Sequence, residues 1–127
     1  MGAHILADFW GCRYEKLDDA EYVMNSLRCA ARAANMTVLG EKVHKFYPQG
    51  MTGLLVLAES HISIHTYPEK GYAAIDVFTC GGGETQKAIE YLKEALNPTE
   101  VKEINVRRGI PEKDILFETE YISAIAS

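Results

Sequence analysis

The chain has 127 residues, a formal net charge of -5 and a pI near 5.3. Apolar residues make up 47% and charged residues 24%, which fits one globular domain over residues 1–127 with a single core. The acidic balance argues against nucleic acid as the main partner, because phosphate binding needs a basic face, and it suits a cationic small molecule.

His4 to Trp10 (HILADFW) is an apolar run of strand length. Asp18 or Asp19 reads as a helix cap, with Glu21 three residues after Asp18. Val23, Leu27, Ala30, Ala31 and Ala34 follow at helical spacing up to Asn35. Residues 37–46 are a predicted strand, and Pro48, Gln49 and Gly50 a turn. Residues 53–58 (GLLVLA) read as a buried strand. Residues 60–66 alternate, with Ile62 and Ile64 on one side and His61, Ser63 and His65 on the other. A break over 68–71 leads to a strand over 72–80 and the glycine run 81–83. Thr85 can cap a second helix carrying Ala88, Ile89, Leu92, Ala95 and Leu96, stopped by Asn97 and Pro98. Residues 101–106 form a last strand, and the tail 111–127 has no function the sequence reveals.

The order is roughly β-α-β-β-β-α-β. Short links between neighbouring strands predict antiparallel pairing. The fold class is therefore α+β, a two-layer α/β sandwich with a mainly antiparallel sheet and two helices on one face. The uncovered face predicts a dimer. Cys12, Cys29 and Cys80 are odd in number and lack metal-ligand spacing, so neither a disulfide framework nor a metal is expected. Residues 1–4 lack a basic leader, and no segment approaches the roughly 20 apolar residues that span a bilayer. A cytoplasmic protein with no membrane contact is expected.

Reactive side chains gather between Glu59 and Cys80. Ser60, His61, Ser63 and His65 lie within six positions, Glu69, Asp76 and Cys80 follow on the next segment, and a hairpin would bring the ends of this stretch near each other. Taken as pattern alone, this is equally a partly solvated sheet face. A serine next to a histidine also suggests a hydrolase, but no G-x-S-x-G elbow surrounds Ser60. The run Gly81 to Gly83 lacks the lysine and spacing of a phosphate loop and reads better as a flexible helix entry.

The segment 59–69 (ESHISIHTYPE), continuing through Gly71-Tyr72-Ala73-Ala74 to Asp76-Val77-Phe78-Thr79-Cys80-Gly81, closely resembles prokaryotic (class 1) S-adenosylmethionine decarboxylase proenzymes, which are pyruvoyl-dependent. The Gly2-Ala3-His4-Ile5 strand, the Phe46-Tyr47-Pro48-Gln49-Gly50 turn and the Thr52-Gly53 pair agree with it. The likeness covers most of residues 1–110.

That resemblance implies a specific chemistry. Decarboxylating an amino acid needs an electron sink, commonly pyridoxal phosphate, yet no lysine or phosphate cradle marks one here. In the family Ser60 attacks the Glu59 carbonyl and turns the amide into an ester. Elimination and hydrolysis then leave a β chain of 1–59 and an α chain of 60–127. The α chain begins with a covalent pyruvoyl group derived from Ser60, which takes the substrate amine as a Schiff base. The resemblance makes His65 the proton acceptor in processing; an imidazole, with its ordinary pKa of about 6.5, suits that task near neutrality. It makes Cys80 the proton donor in catalysis, where the bland alternative is a small buried side chain. Thr52 falls where relatives carry a serine that assists cleavage, and it keeps the hydroxyl. His61 is expected to be structural, and Cys12 and Cys29 to be packing residues.

Phe46, Tyr67 and Glu69 match the family's substrate-binding positions, with rings for adenine and sulfonium and a carboxylate for ribose. Relatives commonly have tryptophan at the position of Tyr67. The implied reaction converts S-adenosylmethionine to its decarboxylated form plus carbon dioxide for spermidine synthesis. The implied assembly is a homodimer of cleaved αβ protomers whose pockets draw on both protomers. Arginine decarboxylation on the same core, and a non-catalytic binding or regulatory homologue, remain as alternatives. The prokaryotic-type length implies no putrescine site of the kind larger relatives have.

Overall fold

The computed structural model describes residues 2–122, and for 116–122 the backbone alone. Among the described residues seven strands form one sheet: β1 (Gly2–Trp10), β2 (Val38–Lys45), β3 (Met51–Leu57), β4 (Ser60–Tyr67), β5 (Tyr72–Thr79), β6 (Glu100–Arg108) and β7 (Leu116–Ile122). Their order across the sheet is β2-β3-β4-β5-β1-β6-β7, and every neighbouring pair is antiparallel. The single-turn α1 (Tyr14–Leu17) precedes the two main helices, α2 (Ala20–Ala33) and α3 (Thr85–Leu96). The α+β class, the antiparallel sheet and the two helices on one face are as expected. The central run holds four strands, because each of the stretches over 37–46, 53–58, 60–66 and 72–80 forms its own. Part of the tail pairs with β6 as β7; residues 123–127 lie outside the described residues.

Local chemistry sets the helix ends. The Asp19 carboxylate accepts the Tyr22 N–H at 3.0 Å and caps α2, which relieves one of the unpaired donors of the first turn. Asn35 follows α2 at φ 59, a left-handed conformation that asparagine tolerates. Asn97 ends α3 in the same way, at φ 48. Thr85 does not cap α3. It is the first helical residue, and Glu84 before it makes no side-chain cap. Instead the Glu84 N–H donates to the Ala34 carbonyl at 3.0 Å, so the end of α2 anchors the start of α3.

The core lies between the helices and one sheet face. Phe9, Ile62, Ile64, Val77, Leu27, Ile89 and Leu92 are fully buried there, each contributing about 1.5–3 kcal/mol by leaving water. Alternation in β4 is as predicted, with Ile62, Ile64 and Thr66 inward and His61, Ser63 and His65 on the other face. Gly53 permits this closeness: a Cβ there would sit 2.5 Å from the Met24 sulfur of α2 and push that side chain aside. The buried Glu103 carboxylate lies in this layer, 3.0 Å from Nζ of the part-buried Lys93. Among the described residues no helix covers the opposite face, where Leu6, Val56 and Ile104 remain exposed. Among the described residues no helix is long and apolar enough to cross a membrane.

Candidate active site

Residues 58 and 59 form the tight turn between β3 and β4, and Glu59 is tied down at both ends. Its side chain accepts the Thr37 N–H at 3.0 Å. Its backbone carbonyl accepts the Cys80 N–H at 2.8 Å. Ser60 follows at φ 154, a region that only glycine enters without strain, at a cost of about 1–3 kcal/mol. The Ser60 hydroxyl lies 3.4 Å from His61 Nδ1. The β4–β5 hairpin thus does bring the two ends of the reactive segment together, pairing Ser60 with Thr79 next to Cys80. Cys80 is exposed at the strand end. Cys12 is buried, and burial pushes its thiol up to about 12, out of range of ordinary reactivity.

The other end of β4 holds a second group. The Thr52 hydroxyl and His65 Nδ1 are 2.9 Å apart, across the β3–β4 pair. Both line a cavity of about 420 Å³ with Phe46, Gln49, Tyr67 and Glu69. The ring of Tyr67 stacks on Tyr72 at 5.4 Å, and Tyr72 on Trp10 at 4.3 Å. The Tyr72 hydroxyl donates to Asp8 at 2.7 Å, and burial together with that carboxylate pushes its pKa up to about 12. The three substrate-binding residues expected from the sequence therefore do share one cavity.

The two groups do not meet within one chain. Ser60 and His65 lie on the same strand, five residues apart, which is roughly 16 Å at about 3.3 Å per residue. The cavity at Tyr67 is farther still. Proton transfer needs about 3 Å, so His65 cannot serve the Ser60 of its own chain in this arrangement.

Three features were not legible in the residue pattern. The first is the Cys80 backbone N–H on the Glu59 carbonyl. The second is Asp18, read only as a helix cap. Its carboxylate accepts Lys45 Nζ at 2.6 Å and the Gly50 N–H at 3.0 Å, which hold it below the usual carboxylate range. This clamps the 46–50 turn, which lines the cavity, onto α1. The third is a polar cluster midway along the open face. His4 Nε2 lies 3.2 Å from Asp76, and the Ser63 hydroxyl donates to the same carboxylate at 3.3 Å. Burial, partly offset by Asp76, lowers the His4 pKa. Each feature joins residues far apart in the chain, so no local signal announces it.

Chemically, one end of β4 offers a hydroxyl next to a strained peptide bond whose carbonyl already faces a donor. The other end offers an imidazole with a hydroxyl partner, aromatic rings and a carboxylate. A family model described as S-adenosylmethionine decarboxylase matches residues 3–109. The chain is 50% identical over 110 residues to the S-adenosylmethionine decarboxylase proenzyme of Persephonella marina, covering 86% of this chain and 83% of that one. It is 49% identical over 111 residues to the proenzyme of Methanococcus vannielii, covering 87% and 91%. The crystal structure of the adenosylmethionine decarboxylase from Aquifex aeolicus superposes with a TM-score of 0.83 at 41% identity, covering 90% of this chain and 95% of that one.

Proposed function

Because the chain belongs to the S-adenosylmethionine decarboxylase family, we propose that it cuts itself between Glu59 and Ser60 and that two copies complete each site. It is a pyruvoyl-dependent S-adenosylmethionine decarboxylase, a carboxy-lyase whose product supplies polyamine synthesis. The observation that carries the cleavage reading is the Glu59–Ser60 bond itself. Its carbonyl accepts the Cys80 N–H at 2.8 Å, and Ser60 is held at a strained φ.

The steps follow from those residues. Attack by the Ser60 hydroxyl on the Glu59 carbonyl carbon places negative charge on an oxygen that the Cys80 N–H already contacts, as in an oxyanion hole. Breaking the amide relieves the local strain and leaves an ester. A base then removes the residue-60 α-proton, and the Glu59 carboxylate departs. That elimination frees a β chain 1–59, and hydrolysis of the resulting dehydroalanine releases ammonia and leaves the pyruvoyl end of an α chain 60–127. The residues present fit this group, since the precursor serine, the leaving carboxylate and the donor are all in place. Once formed, it supplies the electron sink for decarboxylation. Cys80, exposed beside the new end, donates the proton to the decarboxylated carbon.

His65 is the base for the elimination, with Thr52 orienting its ring from 2.9 Å. The roughly 16 Å along β4 means that His65 of one protomer acts on Ser60 of the other. Phe46, Tyr67 and Glu69 travel with His65, so they present the substrate to the opposite protomer's pyruvoyl end. Support for such a homodimer comes from the uncovered face, where Leu6 is 40%, Val56 46% and Ile104 37% exposed. A second sheet laid on this face would bury them. The rings of Phe46 and Tyr67 offer faces to an adenine and a sulfonium, which supports S-adenosylmethionine over arginine. Three free cysteines, one of them exposed, suit a reducing cytoplasm.

Intact mass spectrometry of the purified protein tests the reading. The expected result is two fragments with masses of 1–59 and 60–127, the second carrying a pyruvoyl end. A single stable 14.1 kDa chain under all conditions would overturn it.

A further inference from the structure

We propose that His61 is the general base for the ester-forming half of self-cleavage and that it acts on Ser60 of its own chain. This rests on the self-cleavage reading above and divides it into two steps with two different histidines. The Ser60 hydroxyl lies 3.4 Å from His61 Nδ1. His65 is roughly 16 Å away along the same strand. His61 is therefore the one imidazole of this chain placed on the nucleophile.

Its surroundings suit the task. His61 is half-buried on the open face, with Phe78 of β5 at 5.8 Å between ring centroids and His4 of β1 at 6.3 Å. From β3 its paired neighbour is Val56, which carries no charge. The charged groups nearby reach it through those rings: Asp76 bonds His4, and Arg108 of β6 lies over Phe78 and against His4. Burial, partly offset by Asp76, lowers the His4 pKa, so that neighbouring imidazole sets less positive charge against His61. With its proton on Nε2, His61 leaves Nδ1 free to accept the Ser60 proton.

The step balances within the chain. The Ser60 O–H proton passes to His61 Nδ1 as Oγ bonds the Glu59 carbonyl carbon. The oxyanion rests on the Cys80 N–H. Collapse breaks the Glu59 C–Ser60 N bond, and the departing nitrogen takes the proton back from His61. No atom is lost; an amide has become an ester with a free amine. The α-proton removal that follows belongs to His65 of the other protomer.

Hydroxylamine separates the two steps, because it cleaves an ester and leaves the amide intact. His65→Ala is expected to accumulate uncut chain that hydroxylamine splits between residues 59 and 60. His61→Gln, which keeps the packing and removes the base, is expected to stay uncut and hydroxylamine-resistant, with ester formation slowed about 100-fold or more. Imidazole should restore part of the rate in His61→Gly. Co-expression of tagged His61→Gln with untagged His65→Ala gives the sharpest result: only the His65→Ala chain should be cut, because it alone retains His61 beside its own Ser60. Cleavage of His61→Gln within threefold of the parent chain overturns the inference and leaves the self-cleavage reading standing. Cutting of the tagged His61→Gln chain in the mixture overturns it too. A parent chain that never cleaves overturns the self-cleavage reading, and this inference with it.

Discussion

The two ends of β4 carry the two groups to which we assign different halves of one reaction. At the Ser60 end the backbone itself is reactive: a strained residue, a carbonyl already in contact with a donor, and a hydroxyl beside an imidazole. At the Tyr67 end the backbone is ordinary and side chains supply the chemistry: His65 on Thr52, stacked rings and a carboxylate around a cavity. The strand keeps the halves roughly 16 Å apart. The difference teaches that one copy can contain every residue of the proposed site and still hold its two groups apart. The two-fold dimer we propose would repair this by setting the Tyr67 end of each chain against the Ser60 end of the other.

Several substitutions break or sharpen this contrast. The largest effect belongs to Ser60→Ala, which removes the nucleophile. It should remain one 14.1 kDa chain with no measurable release of carbon dioxide from labelled substrate; cleavage at the same bond would remove Ser60 from the account. Next comes His65→Ala at the other end, expected to slow fragment formation about 10²–10⁴-fold, the usual range for a lost general base. Cys80→Ala should separate backbone from side chain. Its N–H still meets the Glu59 carbonyl, so cleavage should proceed, while turnover of the processed enzyme falls about 100-fold. Equal loss of both would deny the thiol its separate role.

The smallest expected effect tests how the cavity is held. Asp18 clamps the 46–50 turn through Lys45 and Gly50. Asp18→Asn should raise KM by about two- to fivefold, the range of an exposed charge pair, with cleavage unchanged. Its carboxyl has a depressed pKa in the folded chain because Lys45, and then the Gly50 N–H, bond it. Such a group stabilises above its unfolded pKa of about 3.9, and that stability is lost as pH falls through the folded value. The substitution should therefore lower stability modestly at neutral pH, flatten the acid limb of a stability-versus-pH curve below about pH 4, and leave the lowest pH little changed. A limb of unaltered steepness would count against the clamp.

The sheet was legible because its strands announce themselves locally. Ile62 and Ile64 alternate with His61, Ser63 and His65, and the structure keeps that alternation. The capping carboxylate of α2 was also within reach, three residues from the N–H it accepts. The entry to α3 was not, because Glu84 is fixed by the Ala34 carbonyl, 50 positions away, and Thr85 has no capping to do. For the candidate site, the long motif names Ser60, His65 and Cys80 but carries no distances. It places Ser60 and His65 within six positions, which suggests contact. The extended backbone turns those positions into separation. Only pairing between distant segments shows that Cys80 reaches the Glu59 carbonyl and that Phe46, Tyr67 and Glu69 share one cavity.

The central claim is that each site is built from two copies, and co-expressing Ser60→Ala with His65→Ala tests it most directly. Neither variant alone should cleave. In the mixed dimer the His65→Ala chain supplies Ser60 and its partner supplies His65, so mass spectrometry should find that chain, and only that chain, cut between residues 59 and 60. A mixture in which both chains stay whole, while dimers form normally, would contradict the account.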